Sequence, residues 1–230
     1  MKRVAIIQSN YIPWKGYFDL LAYVDEFILL DSVQYTRRDW RNRNKIKTPN
    51  GSIWLSIPVK VKGKYTQTIE NTAIADSRWK YHHLRTLELN YARSPYFNST
   101  ITNLRDWYNF ETQYLSQMNE HLINQISDYL DLGTKIVNSR QMEFSSDKNQ
   151  RLIDICKQVS ADVYVTGMVS RNYLDENLFN KNSISVEWFD YEGYQEYPQL
   201  WGKFDHQVSI LDAIFNCGNN AKKFLRFPKK

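Results

Sequence analysis

Two cysteines, Cys156 and Cys217, are all that the 230 residues contain, and they stand far apart with no metal-like spacing. That pattern excludes a disulfide framework and a thiolate metal site, and it points to core thiols in a reducing compartment. Apolar runs approaching the roughly 20 residues of a membrane span are missing too, and the amino terminus leads straight into a strand with no cleavable leader. A cytoplasmic protein without a membrane span is the expectation. The chain carries no Gly-x-Ser-x-Gly elbow, Walker loop, long Rossmann glycine fingerprint, zinc pattern or EF-hand loop. Hydrolase, P-loop kinase and simple dehydrogenase readings therefore have no footing. Repeats and low-complexity segments are also lacking.

What is present is modestly basic and richly aromatic. The formal charge is +5, and Lys222, Lys223, Arg226, Lys229 and Lys230 supply much of it as a terminal cluster read as solvated surface. Nucleic acid is accordingly not expected as a partner. Aromatic residues make up 15% of the chain, seven of them tryptophan, which is more than a core needs; near polar loops such rings are stacking faces for sugars or bases.

The first forty-odd residues carry the densest signal. An apolar run, Val4-Ala5-Ile6-Ile7, enters Gln8-Ser9-Asn10-Tyr11-Ile12-Pro13-Trp14-Lys15-Gly16-Tyr17-Phe18, and helical spacing follows at Tyr17, Leu20, Leu21 and Val24. A second run, Phe27 to Leu30, ends on Asp31 and opens into the polar segment Gln34 to Asn44. Strand, polar turn, helix, strand and polar loop form the unit of a parallel sheet. Ligands bind such sheets beyond the carboxyl ends of the strands, so both polar loops are expected to open onto one crevice.

The second half repeats this logic. A helix over Lys148 to Val159 leads to a strand, Asp162 to Gly167, then to a loop with Ser170, Arg171 and Tyr173, a short helix and a strand at Ile184 to Trp188. Between the halves, Ile53 to Val59 is strand-like with a turn at Lys62-Gly63-Lys64, read as a hairpin at the sheet edge. Helical spacing then covers Trp79 to about Leu89 and Ser99 to Leu130, with a break at Ser94-Pro95. Ile136-Val137 begins another strand, and a closing helix runs from Ser209 to Phe215 with Gly218 near its end. The expectation is one domain over residues 1–230: an α/β core of about 1–75 and 135–215, with a helical segment of about 76–134.

Several groups are candidates for chemistry. Gln8, Asn10 and Tyr11 stand at a strand end where the crevice should lie. Arg38, Arg41 and Arg43 interleave with Trp40, Asn42 and Asn44 beyond Gln34 and Tyr35; arginine grips phosphate through its planar fork, and asparagine offers both a donor and an acceptor to sugar hydroxyls. Arg43 and Asn44 are the favoured pair, although clustered arginines are also the signature of a solvated charge run. Asp31 and His206 are candidate proton carriers, with His83 a third, and each has a structural reading as cap, surface residue or core histidine. His82 and His83 point about 100° apart on a helix and cannot share a site. Gly167, Ser170 and Tyr173 offer an anion-binding loop or a plain connection. No acid stands at a spacing that completes a metal site, and none is expected.

These stretches, with Asp31-Ser32-Val33-Gln34-Tyr35, Trp40 to Asn44, Tyr164 to Gly167 and Ser209 to Asp212, together resemble the WbqC-like family nearly end to end. The resemblance implies a role in bacterial O-antigen and other surface-polysaccharide gene clusters, as a transferase placing glycine, another aminoacyl group or an acyl group on a sugar. Trp14-Lys15-Gly16-Tyr17 is similar in position to the His-x-Gly-His motif of nucleotidylyltransferases and pantothenate synthetases, with Gly16 kept and both histidines replaced, by Trp14 and Tyr17. That similarity implies a nucleotidylyltransferase-like, Rossmann-like fold whose pocket takes ATP or a nucleotide-sugar, the partner being a small sugar substrate with an acyl or aminoacyl donor. A non-catalytic nucleotide- or RNA-binding module is the alternative.

Overall fold

The computed structural model describes residues 1–227. Among the described residues seven strands and seven α-helices form in chain order: β1 (Arg3–Ile7), α1 (Lys15–Tyr23), β2 (Glu26–Leu29), β3 (Arg43–Thr48), β4 (Gly51–Ser56), α2 (Trp79–Tyr91), α3 (Phe97–Tyr108), α4 (Leu115–Tyr129), β5 (Lys135–Asn138), α5 (Lys148–Gln158), β6 (Val163–Gly167), α6 (Glu176–Lys181), β7 (Ser185–Phe189) and α7 (Ile210–Cys217). Five strands make a parallel sheet in the order β5-β2-β1-β6-β7. Counting only its own strands along the chain, the order is third, second, first, fourth, fifth, the doubly wound arrangement of Rossmann-like folds. The winding direction reverses between β1 and β6, and the crevice of such a sheet opens beyond the carboxyl ends of those two strands.

Alternation along the strands explains the layering. Ala5, Phe27, Leu29, Val163 and Val165 face a large core shared with α1, α2, α3, α4 and α7. Val4, Ile6, Ile28, Leu30 and Tyr164 face a smaller core on the other side, closed by Leu152, Ile153, Ile155 and Cys156 of α5 and Phe179 of α6. Both strand faces are covered, so the strands read as nearly continuous apolar runs. Among the described residues no helix is long and apolar enough to cross a membrane.

Three features depart from the sequence reading. The strand expected from Ile53 to Val59 ends at Ser56, and its partner is the preceding segment Arg43–Thr48, which reads as polar loop because Arg43, Lys45 and Lys47 alternate with Asn44, Ile46 and Thr48. This hairpin forms a two-stranded sheet of its own, not an edge of the main one. The helical stretch from Ser99 to Leu130 is two helices, α3 and α4. The basic tail is docked as far as Phe227: Ala221 and Leu225 are buried, Lys222 pairs with Asp131 at 3.4 Å, and the amides of Arg226 and Phe227 donate to Asp19 at 2.8 and 2.9 Å. Lys229 and Lys230 lie outside the described residues.

α7 is bounded by its own sequence: the Ser209 hydroxyl accepts from the Leu211 amide at 3.3 Å, and Gly218, at φ 62°, ends the helix in the left-handed region. Tyr96 packs so close that a Cβ on Gly218 would stand 2.5 Å from its ring.

Candidate functional site

The segment after β1 is held in a shape that local sequence does not favour. Ile12 has φ 36°, a left-handed conformation costly for a β-branched residue. Buried Asn44 holds it there, donating from Nδ2 to the carbonyls of Ile12 at 2.8 Å and Tyr11 at 3.3 Å, while the Ser209 hydroxyl donates to the Ile12 carbonyl at 2.8 Å. The Tyr11 amide donates to Trp40 O, and the Ile210 amide to Pro13 O. Residues from the hairpin and from α7 thus fix the turn that leads into α1.

Two clefts open at this end of the sheet, where the sequence suggested one. The first, about 630 Å³, lies between the β1 turn and the irregular strap that follows β7; Asn10, Trp14, Trp40, Tyr191, Tyr194 and His206 dominate its walls. The second, about 560 Å³, is bordered by Gln8, Ser32, Gln34, Lys148, Arg151 and Tyr173. Arg41 bridges the ground between them, its guanidinium bonded to Asn10 Oδ1 and, at 3.2 Å, to Gln8 Oε1, with Asp39 at 3.6 Å. Arg41 therefore lies between the two clefts. Arg43 instead lays its guanidinium 4.1 Å from the ring centre of Trp54 and bonds to the Arg38 carbonyl, while Arg38, at φ 58°, is exposed.

Behind the β1 turn sits a buried polar cluster. Asp31 is fully enclosed; Oδ1 accepts from the Ser9 amide at 2.8 Å, and Oδ2 has no partner among the described residues. Burial pushes its carboxyl up to about 6, and the bonds from Ser9 and the nearby Arg41 charge hold it from rising further. Asn119 reaches in from α4, donating to Ser9 Oγ at 3.2 Å and Arg41 O at 2.8 Å, with its own carbonyl oxygen unpartnered.

The remaining candidates divide between the clefts and the core. Tyr11 and His83 are core residues: Tyr11 OH contacts His83 Nδ1 at 2.7 Å and Tyr108 OH, and His83 Nε2 donates to Ser56 O at 3.2 Å. Desolvation lowers His83 to about 4. Tyr17 is buried and donates to Gln8 O at 3.2 Å; Tyr35 donates to Asn42 Oδ1 at 2.9 Å, and Asn42 donates to Ile57 O at 2.8 Å, so these three bind the scaffold together. Gln34 Nε2 donates to Tyr65 O at 2.8 Å. Ser170 Oγ lies 2.9 Å from both Thr166 Oγ1 and Tyr173 OH, a hydroxyl chain that runs from the buried strand end out to the exposed Tyr173 at the second cleft. Gly167 serves the first cleft, because a Cβ there would stand 3.0 Å from the Tyr191 ring.

Gly16 has a specific task. A Cβ at this position would stand 2.3 Å from the Trp14 indole, so the glycine gives room to a ring from its own chain. The Trp14 ring packs in turn against Tyr191 and Tyr194 at ring distances of 5.7 Å.

Lys15 is the residue that sequence reasoning passed over. It is only 3% exposed, at the first position of α1, with its ammonium 5.1 to 5.3 Å from the ring centres of Tyr194, Tyr197 and Phe204 and its one hydrogen bond to Gln195 O at 2.9 Å. Burial lowers it to about 8 against the raising effect of Glu196, Asp19 and Asp212. The signal was a lysine inside an otherwise aromatic and apolar turn. With Tyr194 donating to Asp19 at 2.7 Å, Lys15 ties the strap over the first cleft. Within that cleft His206 Nδ1 is enclosed and unpartnered among the described residues, and desolvation, then the Lys15 charge, lower its pKa.

The model described as "WbqC-like protein family" matches residues 8–224. A Mycobacterium tuberculosis protein named "Uncharacterized protein Rv1507c" is 48% identical over 232 aligned residues, covering 100% of each chain. No solved structure matches.

Proposed function

The chain belongs to the WbqC-like protein family, and from that premise we propose that it is a transferase that places an acyl or aminoacyl group on an amino sugar or nucleotide-linked sugar in surface-polysaccharide synthesis. The observation that carries this reading is the first cleft: it opens where the β1 turn meets the strap after β7 and joins Trp14, Trp40, Tyr191 and Tyr194 to Asn10 and His206. Apolar ring faces stack on the carbon face of a pyranose, and convergent amide groups satisfy its hydroxyls. A cleft of about 630 Å³ has room for a sugar with its substituent.

In this reading the sugar amine attacks the carbonyl carbon of an activated donor, the new C–N bond forms, the donor's leaving group departs and the amine proton passes to a base. His206 suits that role, because it lines the cleft and a histidine held below its ordinary pKa is neutral near pH 7. Arg41, fixed by Asn10 and Gln8, faces the negative charge of a phosphate-bearing group. Asp31 is the second candidate base; its carboxyl, pushed up to about 6, takes and releases protons near neutrality.

The test is calorimetric titration with ATP and with UDP- and dTDP-linked amino sugars at two salt concentrations, comparing wild type, Arg41→Ala and Trp14→Ala. Saturable amino-sugar nucleotide binding, lost in both variants, supports the reading. Binding of ATP alone, or of none of the ligands, removes it. Affinity that collapses as salt rises would instead favour an RNA-binding module.

A further inference from the structure

The first cleft does not end at Trp40. That indole, 39% exposed, packs against Trp54 of the hairpin, 40% exposed, with ring centres 5.1 Å apart. In the hairpin register Arg43 pairs with Ser56, Lys45 with Trp54 and Lys47 with Ser52, so these six side chains share one face, while Asn44, Ile46 and Leu55 point into the protein. On the shared face the Arg43 guanidinium lies 4.1 Å and the Lys45 ammonium 5.3 Å from the Trp54 ring centre. Lys47 is already engaged, donating to Gln199 at 3.0 Å and to the Lys203 carbonyl.

The cations of this face are uncompensated. Arg41, a few residues away, pairs with Asp39, but neither Arg43 nor Lys45 is paired with a carboxylate among the described residues, and Arg43 Nε is enclosed with no acceptor. A buried N–H of a charged group without a partner costs free energy unless a ligand or water supplies one. Two half-exposed tryptophans beside unpaired cations also make an unusual solvent face for a strand pair; aromatic rings and fixed positive charge at the rim of a cleft are the chemistry of a stacked, anionic ring.

We propose that the hairpin face is an outer subsite that binds an anionic saccharide unit: a sugar ring stacks on the Trp40–Trp54 pair, and its negatively charged substituent engages Arg43 and Lys45. The subsite deepens the sugar-transferase reading and rests on it, because Trp40 belongs to both surfaces. An acceptor of more than one sugar would place its modified amine in the cleft and the adjoining acidic unit on the hairpin. Carboxylate and phosphate share the recognised chemistry, and two cations of the hairpin lack a carboxylate partner among the described residues, too few for a long nucleic-acid track.

Calorimetry on the full chain tests this with three probes: a disaccharide ending in glucuronate, the same disaccharide ending in glucose, and glucose 1-phosphate. The acidic disaccharide is expected to bind at least about tenfold more tightly than the neutral one, which is about 1.4 kcal/mol, and Trp54→Ala and Arg43→Gln/Lys45→Gln are each expected to erase that preference. These side chains are half-buried against one another, so thermal unfolding of each variant is measured alongside to show that the fold is retained. Glucose 1-phosphate held by the same residues identifies phosphate as an accepted source of the charge; its failure beside tight glucuronate binding assigns the subsite to carboxylate. Equal affinity for acidic and neutral disaccharides, or indifference to Trp54→Ala, overturns the proposal. So does a uridylate oligomer that outcompetes both with steep salt dependence. The two readings separate cleanly: Arg41→Ala abolishing amino-sugar nucleotide binding while Trp54→Ala changes nothing rejects the outer subsite alone, and the converse pattern rejects the cleft.

Discussion

Replacing His83 with glutamine is expected to reverse the stability ranking of variant and wild type between pH 7 and pH 4. In the folded protein His83 is buried between Trp79 and Tyr11, with both ring nitrogens in hydrogen bonds that the neutral Nε2–H tautomer satisfies. Its pKa falls to about 4 when folded, against about 6.5 when unfolded. Between those values the unfolded chain binds the proton and the folded chain does not, so stability is full above about pH 6.5 and declines as pH falls toward about 4, where the loss levels off. The linkage relation gives a loss of about 2 kcal/mol at pH 5 and about 3 kcal/mol at pH 4. At pH 7 the variant is less stable by about 1–3 kcal/mol, from the disturbed bonds to Tyr11 and Ser56. Because glutamine does not titrate, this deficit should vanish near pH 5 and turn into an advantage of about 1 kcal/mol at pH 4. Asp31, shifted in the opposite direction, titrates in both proteins and cancels in the difference. The assay is urea unfolding of both proteins from pH 7.5 to 4 at fixed ionic strength. A stability difference that stays constant across that range would refute the reasoning, since His83 would then be titrating as an exposed histidine does.

Asp31→Asn is expected to stabilise the protein at pH 8. The folded-state pKa of about 6 lies above the ordinary value, so the ionised carboxylate costs about 3 kcal/mol above pH 6; urea unfolding at pH 8 measures the gain, and a loss of stability would place a missing partner on Oδ2. Gly16→Ala forces the Trp14 indole aside and is expected to cost about 1–3 kcal/mol, with a shift in tryptophan emission as that ring moves; an unchanged spectrum and midpoint would contradict the contact. Asn44→Ala removes a donor from the Tyr11 carbonyl and leaves the Ile12 carbonyl to Ser209 alone, and should cost about 1–3 kcal/mol, read by thermal unfolding. Burial pushes the Cys156 thiol up to about 12 and Cys217 up to about 11, so neither should react with a disulfide reagent at pH 8 until denaturant is added; rapid labelling of the native protein would refute that.

The order of sheet strands and helices was legible because each carries its own local pattern. Apolar runs of four or five residues predict strands buried on both faces, α5 and α7 show helical spacing with an Asp147 or Ser209 cap at the start, and these signals depend only on neighbours in the chain. Tertiary structure decided what such patterns cannot encode. Arg38, Arg41 and Arg43 look interchangeable in sequence, yet the β3–β4 pairing turns Arg43 onto Trp54 and the closed β1 turn draws Arg41 between Gln8 and Asn10. Both outcomes depend on partners 11 to 33 positions away. The strap after β7 has no period at all; it becomes a wall of the cleft only because Lys15, Asp19 and Asp212 accept or supply its bonds from helices folded elsewhere. A side chain's type is local, but its direction and its exposure are set by whatever long-range neighbour satisfies its charge or covers its ring, and for this protein those neighbours make the site.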